Sequence, residues 1–436
     1  MVKRYMVGLG YTEDEINKII LTEPMNRYLL DTLYEKVKTI YEYFLEFGYT
    51  KEQIILMTTR NPIVYSYSLE CIKEKMDNLI EIGYSKCDVI RMTCDYSRIF
   101  GFSVNGIKSK LKEIAEMGYG CDNAFRMVAY FPRLLGYKVE KIESKIDELV
   151  SLGYDRKDAF LITRLCPAIL GLSIDNIKNK INFMIGLGYS KEEVIKLTVG
   201  CPRIYKASTD KILNNLQELR DRFNYTDKEI MKIGKIMPIL YILKSDVIEN
   251  KISDIEKLGY TREKAIKMTV SFPKIFSLSI GNMMKRIEEM ESLGYSKDKI
   301  LNMARTFPSL FSFSFENIKQ TFNDMENLGY SKEEVIYITS EFPSLYGYNM
   351  DTIREKKRFY DAIGIGDVFL VEPRQIMQSI DVSYARYIFL CSLSKRIDME
   401  NYRILFMGNK AFCQKYGKDK DDLILEYNYK SLKKKK

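Results

Sequence analysis

A Gly-Tyr pair recurs along this chain about every 35 residues, and a proline follows almost every glycine 14 positions later. The pairs begin at Gly10, Gly48, Gly83, Gly118, Gly153, Gly188, Gly259, Gly294 and Gly329, and Asn224-Tyr225 fills the one gap. The prolines are Pro24, Pro62, Pro132, Pro167, Pro202, Pro238, Pro273, Pro308 and Pro343, with Ser97 in place of proline once. Nine of the ten prolines therefore obey one rule. A fixed period of this length indicates a tandem array whose units bury their apolar faces against one another.

The copy that begins at Gly188 predicts two helices. Ser190 and Glu193 have the spacing of a capping box, which opens a helix, and Pro202 ends that helix because the residue before a proline is pushed out of the α region. The same capping spacing occurs at Thr12/Glu15, Thr50/Gln53, Thr226/Glu229 and Ser331/Glu334. The first helix carries its apolar stripe at Val194, Ile195, Leu197 and Thr198. After a short apolar connector, a serine caps a second helix; the serines are Ser68, Ser103, Ser173, Ser208, Ser279 and Ser314.

The second helix is predicted to end at the glycine of the next pair. Its apolar positions in the copy before Gly188 are Ile177, Ile181, Met184 and Leu187, at helical spacing. Glycine is the usual left-handed residue after a helix, and asparagine, which replaces it at Asn224, is the next best residue for that conformation. We therefore predict an all-α fold, a superhelical α-solenoid of about ten 35-residue helical-hairpin repeats with a helical C-terminal cap.

Four segments follow from this pattern. Residues 1–47 are predicted to form an irregular N-terminal capping repeat, and residues 48–364 the repeat array. After Gly364 the pattern fades, because Ile365 replaces tyrosine and Gln378 stands where proline is expected. Residues 365–429 are then a helical C-terminal cap, and residues 430–436 a Lys-rich tail.

Composition excludes many kinds of chemistry. The chain has no histidine, so it has no Ser-His-Asp triad, no Cys-His pair and no histidine-ligated zinc. Eight cysteines form no C-x-x-C, and Cys166 and Cys201 occupy a position where other copies carry phenylalanine. No Gly-rich phosphate loop or nucleophile elbow occurs. We expect a protein that is not an enzyme and that has no cofactor and no metal.

Charge and hydropathy bear on where the protein is found in the cell and on whether a polyanion is its partner. The net charge is +9, but Lys430 and Lys433 to Lys436 supply five of it, which leaves about +4 for the rest of the chain. No apolar run is long enough to cross a membrane, and the N-terminus has no apolar signal core and little room for a transit peptide. These features predict a soluble intracellular protein.

The repeat resembles that of the mTERF family, the mitochondrial transcription termination factor-like proteins. The motif here is Leu187-Gly188-Tyr189-Ser190, then Glu193, Pro202 and Ile212, and the likeness covers residues 8–429. Ser392 to Ile397 with Tyr402-Arg403 and, further on, Phe412, Tyr416 and Tyr427 are similar to the family's C-terminal segment, without the proline that usually precedes the residue matching Arg403. The resemblance implies a left-handed superhelix that binds double-stranded nucleic acid along a basic channel and acts in organellar transcription or RNA metabolism. The frequent use of lysine, isoleucine, asparagine and tyrosine suggests an A+T-rich genome. The protein is then expected to be a bacterial or mobile-element relative of the family, and a bacterial relative would be cytoplasmic.

Two rows of basic residues are the candidate nucleic-acid contacts. The first stands 27 positions after each glycine, and consists of Lys75, Lys110, Lys145, Lys180, Lys251, Arg286 and Lys356, interrupted by Asn215 and Thr321. The second directly follows the proline position, at Arg98, Arg133, Arg203 and Lys274. Stacked at regular intervals, such charges suit phosphates. The first row is also compatible with a solvated rim whose charges pair with nearby glutamates. The variation of the second row between repeats indicates either readout of different bases or, as the favoured interpretation, an unconstrained surface.

Other recurrent residues favour structural roles. A basic residue after the first cap (Lys51, Lys86, Arg156, Lys191, Arg262, Lys297 and Lys332) indicates a solvated face, and the tyrosines that follow the glycines indicate packing between repeats. The Lys-rich tail is either a nonspecific contact with nucleic acid or a solubilising end. The leading hypothesis is thus a monomeric protein that binds double-stranded nucleic acid, DNA more than RNA, and regulates transcription or its termination. The alternative is a protein-binding scaffold that takes a peptide or partner helix.

Overall fold

The computed structural model describes residues 1–23, 25 and 30–427. Every regular element in these residues is helical, so the predicted all-α solenoid class is confirmed. The α-helices are α1 (Val2–Leu9), α2 (Glu13–Leu21), α3 (Leu30–Phe47), α4 (Lys51–Arg60), α5 (Leu69–Ile82), α6 (Lys86–Asp95), α7 (Val104–Ile114), α8 (Cys121–Tyr130), α9 (Val139–Ser151), α10 (Arg156–Leu165), α11 (Ile174–Gly186), α12 (Lys191–Gly200), α13 (Thr209–Phe223), α14 (Asp227–Ile236), α15 (Ser245–Lys257), α16 (Arg262–Ser271), α17 (Ile280–Ser292), α18 (Lys297–Thr306), α19 (Phe315–Asn327), α20 (Lys332–Glu341), α21 (Met350–Ala362), α22 (Val368–Val371), α23 (Ile380–Ser392), α24 (Asn409–Tyr416) and α25 (Lys420–Glu426).

Each repeat from Gly48 onward contains a third helical segment that the sequence pattern did not predict. The connector between the two α-helices is a five-residue 3₁₀-helix, and in most repeats proline is its first residue. Proline suits this place because its fixed φ begins a helix and its missing N–H is not needed there. The segments are Pro62–Ser66, Ser97–Gly101, Pro132–Gly136, Pro167–Gly171, Pro202–Lys206, Pro238–Ile242, Pro273–Ser277, Pro308–Ser312, Pro343–Gly347 and Pro373–Met377.

The predicted caps of the helices are confirmed. All five capping boxes form, and in each the Ser or Thr side chain accepts from the backbone N–H three residues later. The six serines predicted to cap the second helices do the same. Gly188 has a φ of +105° and Asn224 a φ of +54°, so both adopt the predicted left-handed conformation after a helix.

The core follows the predicted stripes with two exceptions. Ile177, Ile181, Met184, Val194 and Leu197 are buried, as is the Thr198 side chain. Ile195 and Leu187 are only half-buried, because they lie at the margins of their stripes.

The tenth proline, Pro373, shows that the last repeat was aligned wrongly by the sequence pattern alone. Gln378 is not the equivalent of the repeat proline; Pro373 begins the 3₁₀-helix there, five residues early. The shift arises because α22 has only four residues, whereas α20 before it has ten. The order of α-helix, 3₁₀-helix and α-helix therefore continues through α23, although the predicted boundary between residues 364 and 365 stays a prediction. Pro24 and the predicted tail at residues 430–436 lie outside the described residues.

The chain divides into two compact units, Met1–Asn214 and Asn215–Lys436. In the first unit, the first helices of successive repeats contact one another along the series α4, α6, α8, α10 and α12, and the 3₁₀-helices at 62–66 and 97–101 also touch. In the second unit the 3₁₀-helix at 308–312 contacts those at 273–277 and 343–347. Each class of segment thus forms its own row within a unit.

Candidate nucleic-acid interface

The basic residues at position 27 lie between repeats. Lys75, Lys145, Lys180, Lys251 and Lys356 are buried, and Lys110 and Arg286 are nearly so. Each stands on the second helix of its repeat, between two buried apolar positions, as Lys180 does between Ile177 and Met184. Their aliphatic stems therefore cross the apolar stripe, and the charged group lies at its edge.

Four of these lysines bind the end of the following 3₁₀-helix. The Lys180 ammonium donates to the Ala207 carbonyl at 2.7 Å, and Lys356 donates to the Ile376 carbonyl at 2.5 Å. Lys75 and Lys251 make the equivalent bonds to Phe102 and Leu278. The carbonyls at a helix C-terminus lack intrahelical partners and carry partial negative charge, so an ammonium group stabilises them. Burial lowers the pKa of Lys180, Lys251 and Lys356.

The other three cations pair within their own helix. Lys110, Lys145 and Arg286 donate to Glu113, Glu148 and Glu289, each three residues further on. Three of the four carbonyl-binding lysines have no carboxylate at that place, since Lys75 is followed there by Asn78, Lys180 by Phe183 and Lys356 by Phe359. Lys251 has both kinds of partner, because it bonds to the Leu278 carbonyl and also lies 3.9 Å from the Asp254 carboxylate on its own helix. A glutamate three residues on, which carries a full charge, is the partner wherever one is present.

Two residues outside the predicted row act in the same way. Asn215, which interrupts the row, donates its amide to the Tyr241 and Leu243 carbonyls, both at 3.1 Å. Arg386 occupies the same place in the shortened last repeat and donates to the Leu405 and Met407 carbonyls at 2.9 and 2.6 Å. The signal that identifies Arg386 in the sequence is Pro373, once the five-residue shift is recognised. Contact of the position-27 row with nucleic acid stays a prediction, and in this structure these groups already have protein partners.

The basic residues after the proline position are exposed. Arg98, Arg133, Arg203 and Lys274 each occupy the second position of a 3₁₀-helix and extend into solvent, next to a first residue that is buried. Within residues 1–23, 25 and 30–427, no ion pair joins any of the four to a carboxylate. Arg374, which follows Pro373, is exposed in the same way and was missed in the sequence because its proline was out of phase.

A cleft of about 750 Å³ opens beside Arg98 and Arg133. Arg60, from the last turn of α4, is a third arginine in its wall, so three successive repeats contribute one guanidinium each. The remaining lining residues are Asn61, Cys94, Asp95, Tyr96, Ser97, Gly136 and Tyr137. We call this the arginine cleft.

A second depression lies on the row of first helices. It has a volume of about 910 Å³ and also contains three arginines, Arg91, Arg126 and Arg164, together with Asp88 and Asp122. Arg91 is bonded to Asp88 at 2.6 Å and lies over the ring of Tyr130. The positive charge of this second depression is therefore partly neutralised, unlike that of the arginine cleft.

The family model of mTERF matches this chain over residues 2–119, 78–186, 127–290 and 281–363. The four overlapping matches follow one another along the repeats and together span far more than half of the chain. This chain belongs to the mTERF family. No curated protein sequence matches it significantly. mTERF proteins are in general non-enzymatic repeat proteins that bind nucleic acids.

The recurrent tyrosines of this mTERF chain are part of the core. The ten tyrosines that follow the left-handed residues are buried. Six of them share a hydrogen bond with a threonine in the next repeat, as Tyr119 does with Thr163 at 2.7 Å. Where that threonine is replaced, by Val128 or Ala304, the tyrosine donates instead to a backbone carbonyl. These rings are enclosed between repeats.

The remaining sequence predictions concern the first cap and the cysteines. The basic residues after the cap are exposed in most repeats, as predicted for a solvated face, although Arg262 makes a bidentate pair with Glu249. All eight cysteines are free, and burial raises the pKa of Cys94 in the arginine cleft to about 11, against a weaker opposite effect of Arg60. No helix in the described residues is long and apolar enough to cross a membrane, and these residues hold no group of side chains suited to a metal ion.

Proposed function

We propose that this mTERF protein binds double-stranded nucleic acid, DNA in preference to RNA, as a monomer, and that it thereby regulates transcription or its termination. The contacts are made by the exposed residues of the 3₁₀ row, Arg98, Arg133, Arg203, Lys274 and Arg374. The carbonyl-binding lysines of the position-27 row support them by holding neighbouring repeats together.

The observation that carries this proposal is the difference between the two basic rows. Both recur with the repeat, but the position-27 groups are bonded to carbonyls or glutamates, whereas the groups of the 3₁₀ row are exposed and without ion pairs in the described part of the chain. A phosphate must find a cation that is accessible and not already neutralised. The recurrence places one such cation on several separate repeats, which suits an extended polyanion better than a compact ligand.

Binding of a fluorescent 25-base-pair DNA duplex, measured by anisotropy across salt concentrations, tests the proposal. We expect log K to fall linearly with log salt concentration, with a slope of about −0.9 for each phosphate that is neutralised. The same measurement with an RNA duplex of equal length tests the preference for DNA. The absence of duplex binding at low salt would rule the function out.

A protein-binding scaffold is the second candidate function, and one observation favours it. Large apolar side chains are exposed on the row of first helices, among them Leu56, Tyr130, Leu165 and Ile236. Exposed apolar surface of this kind is typical of surfaces that bind other proteins. A duplex-binding constant that is unchanged in Tyr130→Ser/Leu165→Ser would separate this face from the nucleic-acid interface.

A further inference from the structure

We propose that the arginine cleft is the principal phosphate anchor of this protein, the one place that holds the sugar-phosphate backbone of a bound strand most tightly. This inference rests on the proposed function and goes beyond it by assigning most of the affinity to three successive repeats. The groups that hold the phosphates are Arg60, Arg98 and Arg133.

The charge of the cleft supports an anionic occupant. Its wall contains three guanidinium groups and one carboxylate, Asp95, and within the described residues none of the four takes part in an ion pair. Cations that are gathered by the fold and left without protein partners repel one another, and an anion between them removes that repulsion. The depression on the first helices lacks this property, since two aspartates accompany its arginines and Arg91 is already bonded to Asp88.

The chemistry of arginine points to phosphate in particular. A guanidinium presents several N–H donors in one plane and can donate two parallel hydrogen bonds to a phosphate, which a lysine cannot do. The three arginines come from consecutive repeats, with Arg60 at the end of α4 and Arg98 and Arg133 on successive 3₁₀-helices, so they are not gathered on one turn. That spread suits successive phosphates of a strand better than a single small anion. Asn61 and the half-buried Tyr96 add polar and aromatic groups beside them.

Ser97 is the second, independent feature of the cleft. It is the only residue among these repeats that breaks the proline rule, and it lies in the wall of this cleft. The backbone does not require the exchange: Tyr96 before Ser97 has φ −147° and ψ 73°, and Phe131 before Pro132 has φ −141° and ψ 75°. Serine keeps a hydroxyl and a backbone N–H that proline would lack. We therefore assign Ser97 to ligand binding, where an extra donor assists the arginines.

A matched pair of double variants in the full chain tests the proposal. Arg98→Ala/Arg133→Ala removes two cleft arginines, and Arg91→Ala/Arg126→Ala removes two from the first helices of the same two repeats, with the same change in net charge. By anisotropy with the 25-base-pair duplex, we expect the cleft variant to lose about tenfold or more in affinity per arginine and about 1.8 in salt slope. The control variant should lose less than about threefold. Equal losses in the two variants, or an unchanged affinity in the cleft variant, would overturn the anchor while leaving the proposed function intact.

Two further measurements test the role of Ser97 and the kind of phosphate that the cleft binds. Ser97→Pro should melt at the same temperature as the wild type or higher, because proline fits the backbone there, yet bind the duplex about twofold to fivefold more weakly. Unchanged binding by Ser97→Pro would contradict the role of Ser97. Adenosine triphosphate, added at matched ionic strength, should not displace the duplex at micromolar concentration; displacement would show that the cleft is a site for a free nucleotide and overturn the proposal. A wild-type chain that binds no duplex at all would remove the proposed function and the anchor together.

Discussion

Buried polar side chains connect each repeat of this chain to the next. A tyrosine hydroxyl meets a threonine hydroxyl of the next repeat, and in four repeats a lysine ammonium meets a carbonyl of the next repeat. A buried polar group is costly unless it is hydrogen-bonded, so these contacts tolerate few alternative arrangements. They give the interfaces a defined register that apolar stripes alone would not specify.

Replacing Lys180 tests the role of the position-27 row. Lys180→Met keeps most of the apolar stem but leaves the Ala207 carbonyl without its donor, and we expect a loss of about 1–3 kcal/mol in the free energy of unfolding. Lys178→Met on the same helix changes the same charge at an exposed position and should stay within about 0.5 kcal/mol of the wild type. Urea denaturation followed by circular dichroism measures both. Equal effects of the two changes would show that Lys180 acts only through net charge.

The buried tyrosines predict unfolding at alkaline pH. Burial raises the pKa of Tyr119, Tyr225 and Tyr295 from 10.0 to about 12, and the hydrogen bond to the threonine opposes this only in part. A folded-state pKa above the unfolded value means that stability is fully present below about pH 10 and is lost as the pH rises toward 12. Burial lowers the pKa of Lys180 below the 10.5 of an unfolded chain, so this lysine has the opposite effect and favours the folded state more as the pH approaches 10.5. The tyrosines whose pKa is raised are more numerous, so the net effect is a loss of stability. Tyrosinate absorbance and circular dichroism, recorded in one titration, should show these tyrosines ionising together with unfolding; ionisation of all tyrosines before any loss of helix would contradict the prediction.

At the scale of the element, one residue ends each second helix. Gly188 is held at a φ of +105°, where a side chain is strained, whereas Gly186 two residues earlier is helical and has open space around it. Gly188→Ala should therefore destabilise the protein by about 1–2 kcal/mol. Gly186→Ala should be neutral or stabilise it by up to about 1 kcal/mol, because alanine favours helix. Thermal unfolding of the two variants measures the difference, and two shifts of the same sign would refute the capping role of Gly188.

The 3₁₀-helix is the element that connects the buried and the exposed basic rows of the repeat. Its C-terminal carbonyls receive the lysine of the preceding repeat, as Ala207 receives Lys180, and its second residue carries the exposed cation, as Arg203 does in the same segment. The buried lysine thus helps to fix the segment that displays the exposed arginine. This arrangement explains why two basic rows with one period have different environments.

At the scale of the whole molecule, the location of the charge matters more than its sum. Five of the nine net positive charges belong to residues 430–436, and the rest of the chain is close to neutral. Removing residues 430–436 should lower the salt slope of duplex binding by between about 1 and 4, since up to five lysines lose counterion release. The melting temperature should not change, and a melting control on the truncated chain establishes this. An unchanged slope would show that the tail serves solubility and does not bind.

The sequence by itself determined the period, the helices and their caps. The capping residues Ser190 and Glu193, the left-handed Gly188 and Asn224 and the apolar stripes act through local backbone geometry and short-range hydrogen bonds, and these depend on residues only a few positions apart. The family could be recognised for the same reason, because its motif is that local pattern repeated. The last repeat was not predicted correctly, because the expected positions assume a constant repeat length and α22 is shorter than the equivalent helices.

Only the tertiary structure decided which cations are available. Lys180 and Arg203 both recur at fixed places in the repeat, and although Lys180 lies within an apolar stripe, the local pattern does not tell whether its ammonium reaches solvent or another repeat. The difference arises from contacts 27 residues apart, where the Lys180 ammonium reaches the Ala207 carbonyl of the next repeat. The arginine cleft likewise exists only because stacking brings Arg60, Arg98 and Arg133 of three repeats to one wall. Burial and partnership are properties of the packed array, because each repeat obtains its environment from its neighbours.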